Sequence, residues 1–271
     1  MPSAETLFVA VYGELTPHRW RDFRVASEDA YSLFHSRSAA MGWLTDARPG
    51  ALGGLWGMND AGQDLGESSP PSCVAWFQVA VTGHLDPGQG LPIQPFLSCA
   101  ADVVSRMGEL SLLAVQLLLP LQASSTGSGA SLTTDPLSSL LQTTNWFADG
   151  DPTSRTRVRV TLDTGRDASI RMVAHHIDEW LRPISQNIFV DHSLVDSDDS
   201  VDSDDLIRAA PVNDQLWNGP AQHRIAFDGT LIEWSLDAIG WLAAILAIAG
   251  SRHGIRTPMM LTVRRVQPPR R

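Results

Sequence analysis

Lysine is absent from this sequence: all 20 basic side chains are arginine. Without a primary side-chain amine, the chain cannot form a Schiff base with a carbonyl substrate or with pyridoxal phosphate. It also lacks the lysine with which a P-loop binds nucleotide phosphates. The acids are skewed in a similar way, with 23 Asp against 7 Glu. Both preferences indicate a GC-rich, bacterial genome rather than a function.

Cysteine is scarce as well. Cys73 and Cys99 are the only two, and they form neither a CxxC motif nor a metal-ligand spacing. The N-terminus has no basic-then-apolar leader. The longest apolar run, residues 238–249, is shorter than the roughly 20 residues that a membrane-spanning helix needs. We therefore expect a cytoplasmic protein that does not enter a membrane, with both thiols free and buried.

Positive charge is in deficit. The sequence has 30 acidic and 20 basic side chains, a formal net charge of −10, which disfavours binding to nucleic acid or to an anionic membrane surface. The GxSxG, GxGxxG, HExxH and paired CxxC motifs are all missing from the sequence. The sequence therefore predicts no cofactor and no bound metal.

Strand-like and helix-like segments alternate along the chain. Hydrophobic residues make up 43% of it, which is close to the norm for a globular protein. Period-two and period-3.6 patterns predict strands near residues 7–12, 73–81, 110–119, 155–162, 188–190 and 259–266, and helices near residues 27–43, 95–107, 170–181 and 235–250. This order predicts an α+β fold of antiparallel or mixed sheets with helices on one face, arranged as two ferredoxin-like halves.

The predicted halves are residues 1–121 and 135–271, joined by a Ser/Thr/Gly-rich linker at 122–134. A Gly/Pro-rich loop at 45–72 interrupts the first half, and an acidic loop at 196–205 interrupts the second. Asp228-Gly229 stands between two β-like runs, which is the strongest short-range signal for a hairpin turn. We therefore expect a hairpin there.

Histidines near carboxylates are the residues most suited to catalysis. His176 lies at the buried boundary of a predicted helix, and Asp191-His192 directly follow a predicted strand. Two imidazoles and a carboxylate can act as acid and base groups or hold iron or zinc. The neighbouring His175 and Asp178 are expected on the solvent face of the same helix, where alternating charge usually forms surface salt bridges.

The acidic loop has six carboxylates in ten residues. Calcium favours such oxygen ligands, but the run lacks the central Gly and closing Glu of an EF-hand. A solvated, disordered loop is one alternative, and attraction of an arginine-rich partner is another. The residues predicted to bind such a partner are Asp198, Asp199, Asp202, Asp204 and Asp205.

Tryptophan is over-represented, with nine Trp against two Tyr. Trp side chains are enriched at binding hot spots because they bury a large area at a low cost in conformational entropy. Five of them fall in or beside predicted loops and helix ends: Trp20, Trp43, Trp56, Trp146 and Trp217. Trp56, in a Gly-rich segment, is the candidate for an exposed anchor; the alternative is that these rings fill the edges of a core.

Two functions remain open from the sequence alone. The first is a non-catalytic cytosolic protein-interaction module, an adaptor or an antidote-like binder of a basic protein, which uses its Trp-bearing loops and acidic stretch. The second is a small-molecule or metal-dependent enzyme with His176, Asp191 and His192 in a cleft of the sheet. The sequence favours the first, because the recognised catalytic signatures are missing from it.

Overall fold

The computed structural model describes residues 5–21, 28–45, 54–63, 72–81, 90–122, 136–185, 188–195, 217, 219 and 221–266. These residues form eight strands: β1 (Glu5–Pro17), β2 (Trp56–Gln63), β3 (Ser72–Val81), β4 (Gly108–Leu119), β5 (Thr156–Asp163), β6 (Phe189–Val195), β7 (Arg224–Leu231) and β8 (Met259–Arg265). The helices in the same ranges are α1 (Ala30–Ala40), α2 (Ile93–Met107), α3 (Pro136–Ala148), α4 (Ser169–Ile184) and α5 (Leu236–Arg252), with a 3₁₀ turn at Pro152–Ser154. The α+β fold class is thus confirmed.

All eight strands pair in one antiparallel sheet in the order β2-β3-β1-β4-β8-β5-β7-β6. The order of elements repeats: β1-α1-β2-β3-α2-β4 in the first half and β5-α4-β6-β7-α5-β8 in the second. Within each half the strand order is second, third, first and fourth, and β4 pairs with β8 to join the halves. The two halves therefore share one topology, while their assignment as ferredoxin-like stays a prediction.

The helices pack on one face of the sheet. Alternating strand residues such as Val9, Phe77, Val160 and Leu261 are fully buried against them, because successive side chains of a strand point to opposite faces. Helix α5 is buried around nearly all of its circumference, since α2, α3 and α4 each pack against it. Ser235 caps its first turn by accepting a hydrogen bond from the Ala238 amide.

The opposite face of the sheet differs between the halves. In the first half, and at Met260 of the neighbouring strand β8, it is apolar and buried, and Trp217 packs against it; the buried residues are Phe8, Ala10, Tyr12, Ala114, Leu118 and Met260. In the second half it is polar, with Arg157, Arg159 and Asp228 on it. Trp217 thus contacts the half of the sheet that does not contain β6 and β7.

Two predictions about strands were wrong. Residues 45–72 contain β2, whose eight residues carry two glycines and no regular alternation, so no sequence period marks it. Asp228-Gly229 is not a turn, because β7 runs straight through it and pairs with β5 and β6 on either side. The local turn preference is outweighed there by the two ladders of backbone hydrogen bonds and by the Arg159–Asp228 ion pair.

Candidate functional site

A bulge in the edge strand β6 turns His192 toward the helices. The pairing of β6 with β7 shifts in register between Val190 and Ser193. Asp191, inside the bulge, has φ of +52°, the one positive φ of a non-glycine residue in the described part of the chain. A bulge of this kind re-aims the next side chain, and here that side chain is His192.

His192 lies in a closed pocket between β6 and the end of α4. Its ring stacks on Phe189, with centroids 5.2 Å apart and planes 13° from parallel. Nδ1 is 3.3 Å from the Ser185 hydroxyl oxygen and 3.4 Å from the Phe189 carbonyl oxygen. Nε2 is 3.7 Å from Oδ1 of Asp178, and both side chains are only 6% exposed. The imidazole is therefore shielded from solvent on both of its polar edges.

Asp178 links this pocket to the surface. Its Oδ2 accepts hydrogen bonds from Nε of Arg182 at 3.1 Å and from Nη2 at 2.6 Å, and most of the Arg182 side chain is exposed. The other carboxylate oxygen faces His192 and has no hydrogen-bond partner. Sequence periodicity predicted Asp178 on the solvent face of its helix; that prediction was wrong, because α4 packs against β6 and β7 there and encloses the residue.

Three polar groups follow one another in this pocket: the Ser185 hydroxyl, the His192 imidazole and the Asp178 carboxylate. With the proton on Nε2, His192 points a donor at Asp178 and leaves Nδ1 to accept from the Ser185 hydroxyl. A serine in such an order can be activated as a nucleophile. Ser185 is fully buried, however, so no substrate reaches its hydroxyl oxygen in this conformation. Its carbonyl oxygen accepts hydrogen bonds from the Ile188 and Phe189 amides.

His176 is not part of this cluster. It is exposed on α4, and its ring stacks on His253 at the end of α5, with centroids 5.8 Å apart. Asp191 is also exposed, whereas His192 is enclosed. In the described ranges no three His, Cys, Asp or Glu side chains lie close enough together to hold a metal ion. The structure therefore does not unite His176, Asp191 and His192 as a ligand set.

Trp56 is buried, so the expectation that it is an exposed anchor was wrong. Its indole is 0% exposed and packs among Phe34, Trp43 and Phe96, with ring centroids 5.5–6.3 Å away. Its Nε1 donates to the Ser38 hydroxyl at 3.4 Å. A Gly-rich neighbourhood suggested a loop, but Trp56 begins β2 and its face of that strand meets α1.

The predicted acidic binding residues Asp198, Asp199, Asp202, Asp204 and Asp205 lie outside the described residues. Their proposed role in binding stays a prediction.

Two other tryptophans are the largest exposed rings among the described residues. Trp20 is 74% and Trp146 is 76% exposed. Trp20 stacks on His18, whose own amide and ring meet the carbonyls of Met107 and Ser105 at the end of α2. Trp146 lies near the end of α3. Both are among the five tryptophans that the sequence places in or beside loops and helix ends, but the sequence favoured Trp56 over them, because exposure depends on packing between distant parts of the chain.

Two further ion pairs lie in the second half, between β5 and β7. Arg159 makes a two-pronged contact with Asp228, at 2.7 and 2.8 Å, and these hydrogen bonds lower the pKa of the Asp228 carboxyl. Arg224 donates to Asp163 at 2.9 Å, yet burial outweighs this contact and raises the pKa of the Asp163 carboxyl. Such pairs stabilise the polar sheet face without offering an open reactive group.

Comparison with known proteins gave no relative: no family model, no curated protein and no solved structure matches the chain. Among the described helices, none is long and apolar enough to cross a membrane.

Proposed function

We propose that this chain is a non-catalytic protein-interaction module that binds a basic protein, as an adaptor or an antidote to such a protein would. The observation that carries the proposal is the Trp146 side chain near the end of α3, which is 76% exposed. Tryptophan is enriched among the hot-spot residues of protein–protein interfaces. The net charge of −10 favours a partner of opposite charge.

The burial of the Ser185, His192 and Asp178 side chains favours an interaction module over an enzyme. Ser185 and Asp178 are buried, and the two nitrogens of His192 face other protein groups. A reaction needs its acid, base or nucleophile within about 3 Å of a bound substrate. The free thiols Cys73 and Cys99 are consistent with a reducing compartment, and we propose a cytoplasmic location on that ground.

A small-molecule enzyme is the second candidate, and one observation favours it. The order Ser185, His192, Asp178 is that of a Ser-His-Asp triad, in which His192 would take the Ser185 proton if a movement of β6 opened the pocket. Activity screens with ester and amide substrates test it: the enzyme proposal expects turnover that His192→Ala and Ser185→Ala both abolish. Turnover unchanged in either variant contradicts it.

The interaction proposal is tested by affinity capture. Immobilised full-length chain is exposed to lysate of the native organism, beside an unrelated protein of the same net charge that controls for ion exchange. We expect a basic protein in stoichiometric amount on the chain alone, with weaker retention at high salt because salt screens charge attraction. Enrichment of the same proteins on both matrices would count against the proposal.

A further inference from the structure

Helix α3 turns an uncharged face to solvent. Its inner side is fixed by Leu137, Leu140 and Phe147, which pack on the core, and by the indole of Trp241 on α5, which donates to the Leu140 carbonyl at 2.9 Å. Its outer positions include Leu141 and Trp146, both exposed, among Ser, Thr, Gln and Asn. A solvent-facing helix without a single charged side chain is unusual for an ordinary protein surface.

The stretch of chain that carries Trp146 has acidic and no basic side chains. From residue 107 to residue 154 the chain has no Arg, Lys or His, and Asp149 and Asp151, directly after α3, are both exposed.

Trp20 has the opposite surroundings. It stands between Arg19 and Arg21 and stacks on His18. A cationic segment is therefore repelled at Trp20 and attracted at Trp146, although the two rings expose nearly equal fractions. The difference in neighbouring charge therefore favours Trp146 over Trp20 as the contact for a basic partner.

We infer that the outer end of α3, defined by Trp146 and Asp149, is the docking site for an arginine- or lysine-rich segment of a protein partner. A guanidinium or ammonium group stacks on the Trp146 indole, where cation–π attraction is strongest, and pairs with the Asp149 carboxylate. The inference rests on the proposed function, because it names where and by which chemistry the basic partner is bound.

The test uses the full chain and labelled synthetic peptides of one length: Arg/Ala, Lys/Ala and Glu/Ala. We expect binding of the two basic peptides only, and at least a tenfold loss of affinity in Trp146→Ala, the size expected of a hot-spot ring. Trp146→Phe should lose less, because it keeps an aromatic face. Asp149→Asn should weaken binding severalfold and flatten its salt dependence.

Trp20→Ala is the matched control, because it removes a ring of equal exposure from basic surroundings. Equal affinity of Trp146→Ala and the wild type for the Arg/Ala peptide would overturn the inference and point to the acidic run 196–205 instead. The two proposals fail separately. If the Trp146→Ala variant still binds the partner captured from lysate, the docking site is contradicted and the proposed function is not. If no partner is captured and no peptide binds, both the docking site and the proposed function are contradicted.

Discussion

Gly229 in β7 lies directly against Phe189 and His192 in β6. A β-carbon built on Gly229 would be 2.6 Å from Cζ of the Phe189 ring and 3.0 Å from Cβ of His192. Real side chains do not approach so closely, so the missing β-carbon is what lets the stacked Phe189–His192 pair lie flat on the sheet. The second residue of a predicted turn is thus a packing position inside a strand.

The first prediction follows from this contact. Gly229→Ala should lower the free energy of unfolding by about 1–3 kcal/mol, because the Phe189 ring must move within a filled core. Urea denaturation measures this. Gly57→Ala is the control, since a β-carbon there meets nothing within 4 Å, and it should be neutral within about 0.5 kcal/mol. Equal stability of the two variants would show that the ring moves freely.

The second prediction separates a core tryptophan from an exposed one. Trp56→Ala should cost about 3–5 kcal/mol, because it empties a fully buried site between Phe34, Trp43 and Phe96. Trp146→Ala, at a ring that is 76% exposed, should change stability by less than about 0.5 kcal/mol. Thermal and urea unfolding of both variants give the comparison. A small effect at Trp56 would mean that the surrounding rings collapse into the space.

The sequence patterns predicted the regular parts of this fold and missed the irregular ones. Strand β3 alternates and α2 has an apolar stripe, so both were found near their true bounds. Strand β2 could not be found, because its Gly-rich sequence has no period and its place depends on pairing with β3. The burial of Asp178 was missed for a related reason: it depends on the packing of α4 against β6 and β7, which lie farther along the chain.

Only part of the candidate surface at Trp146 and Asp149 could be predicted from the sequence. Trp146 and the acidic residues after it can be read directly, as can the stretch without a cation. That Trp146 is exposed while Trp56 is not depends on which helix covers which strand, and this is decided by contacts between residues far apart in the chain. Local composition around the two rings therefore gave the wrong ranking.

The third prediction concerns acid stability. Hydrogen bonds from Arg159 hold the pKa of Asp228 below its usual value, so the folded state binds this proton less readily than the unfolded state. The pair therefore stabilises the fold above the usual aspartate pKa, and this contribution is lost as pH falls through the lower, folded value. Asp228→Asn should cost about 1 kcal/mol or less near neutral pH, because the carboxylate is 39% exposed. The difference from wild type should shrink toward about pH 3; a constant difference in urea midpoints would contradict this.

The fourth prediction concerns mildly acidic pH. Burial, and then the positive charges of His176 and Arg252, lower the pKa of His253. The unfolded chain therefore takes up this proton at a higher pH than the folded chain, and the fold should lose stability as pH falls below about 6.5. His176→Ala removes one of the two charges and should raise the pKa of His253 toward its ordinary value, which NMR titration of the imidazole protons measures directly.

In His253→Asn the loss of stability between about pH 7 and pH 5.5 should be smaller than in wild type. An imidazole of His253 that titrates at or above the ordinary histidine value in the wild-type fold would contradict this prediction.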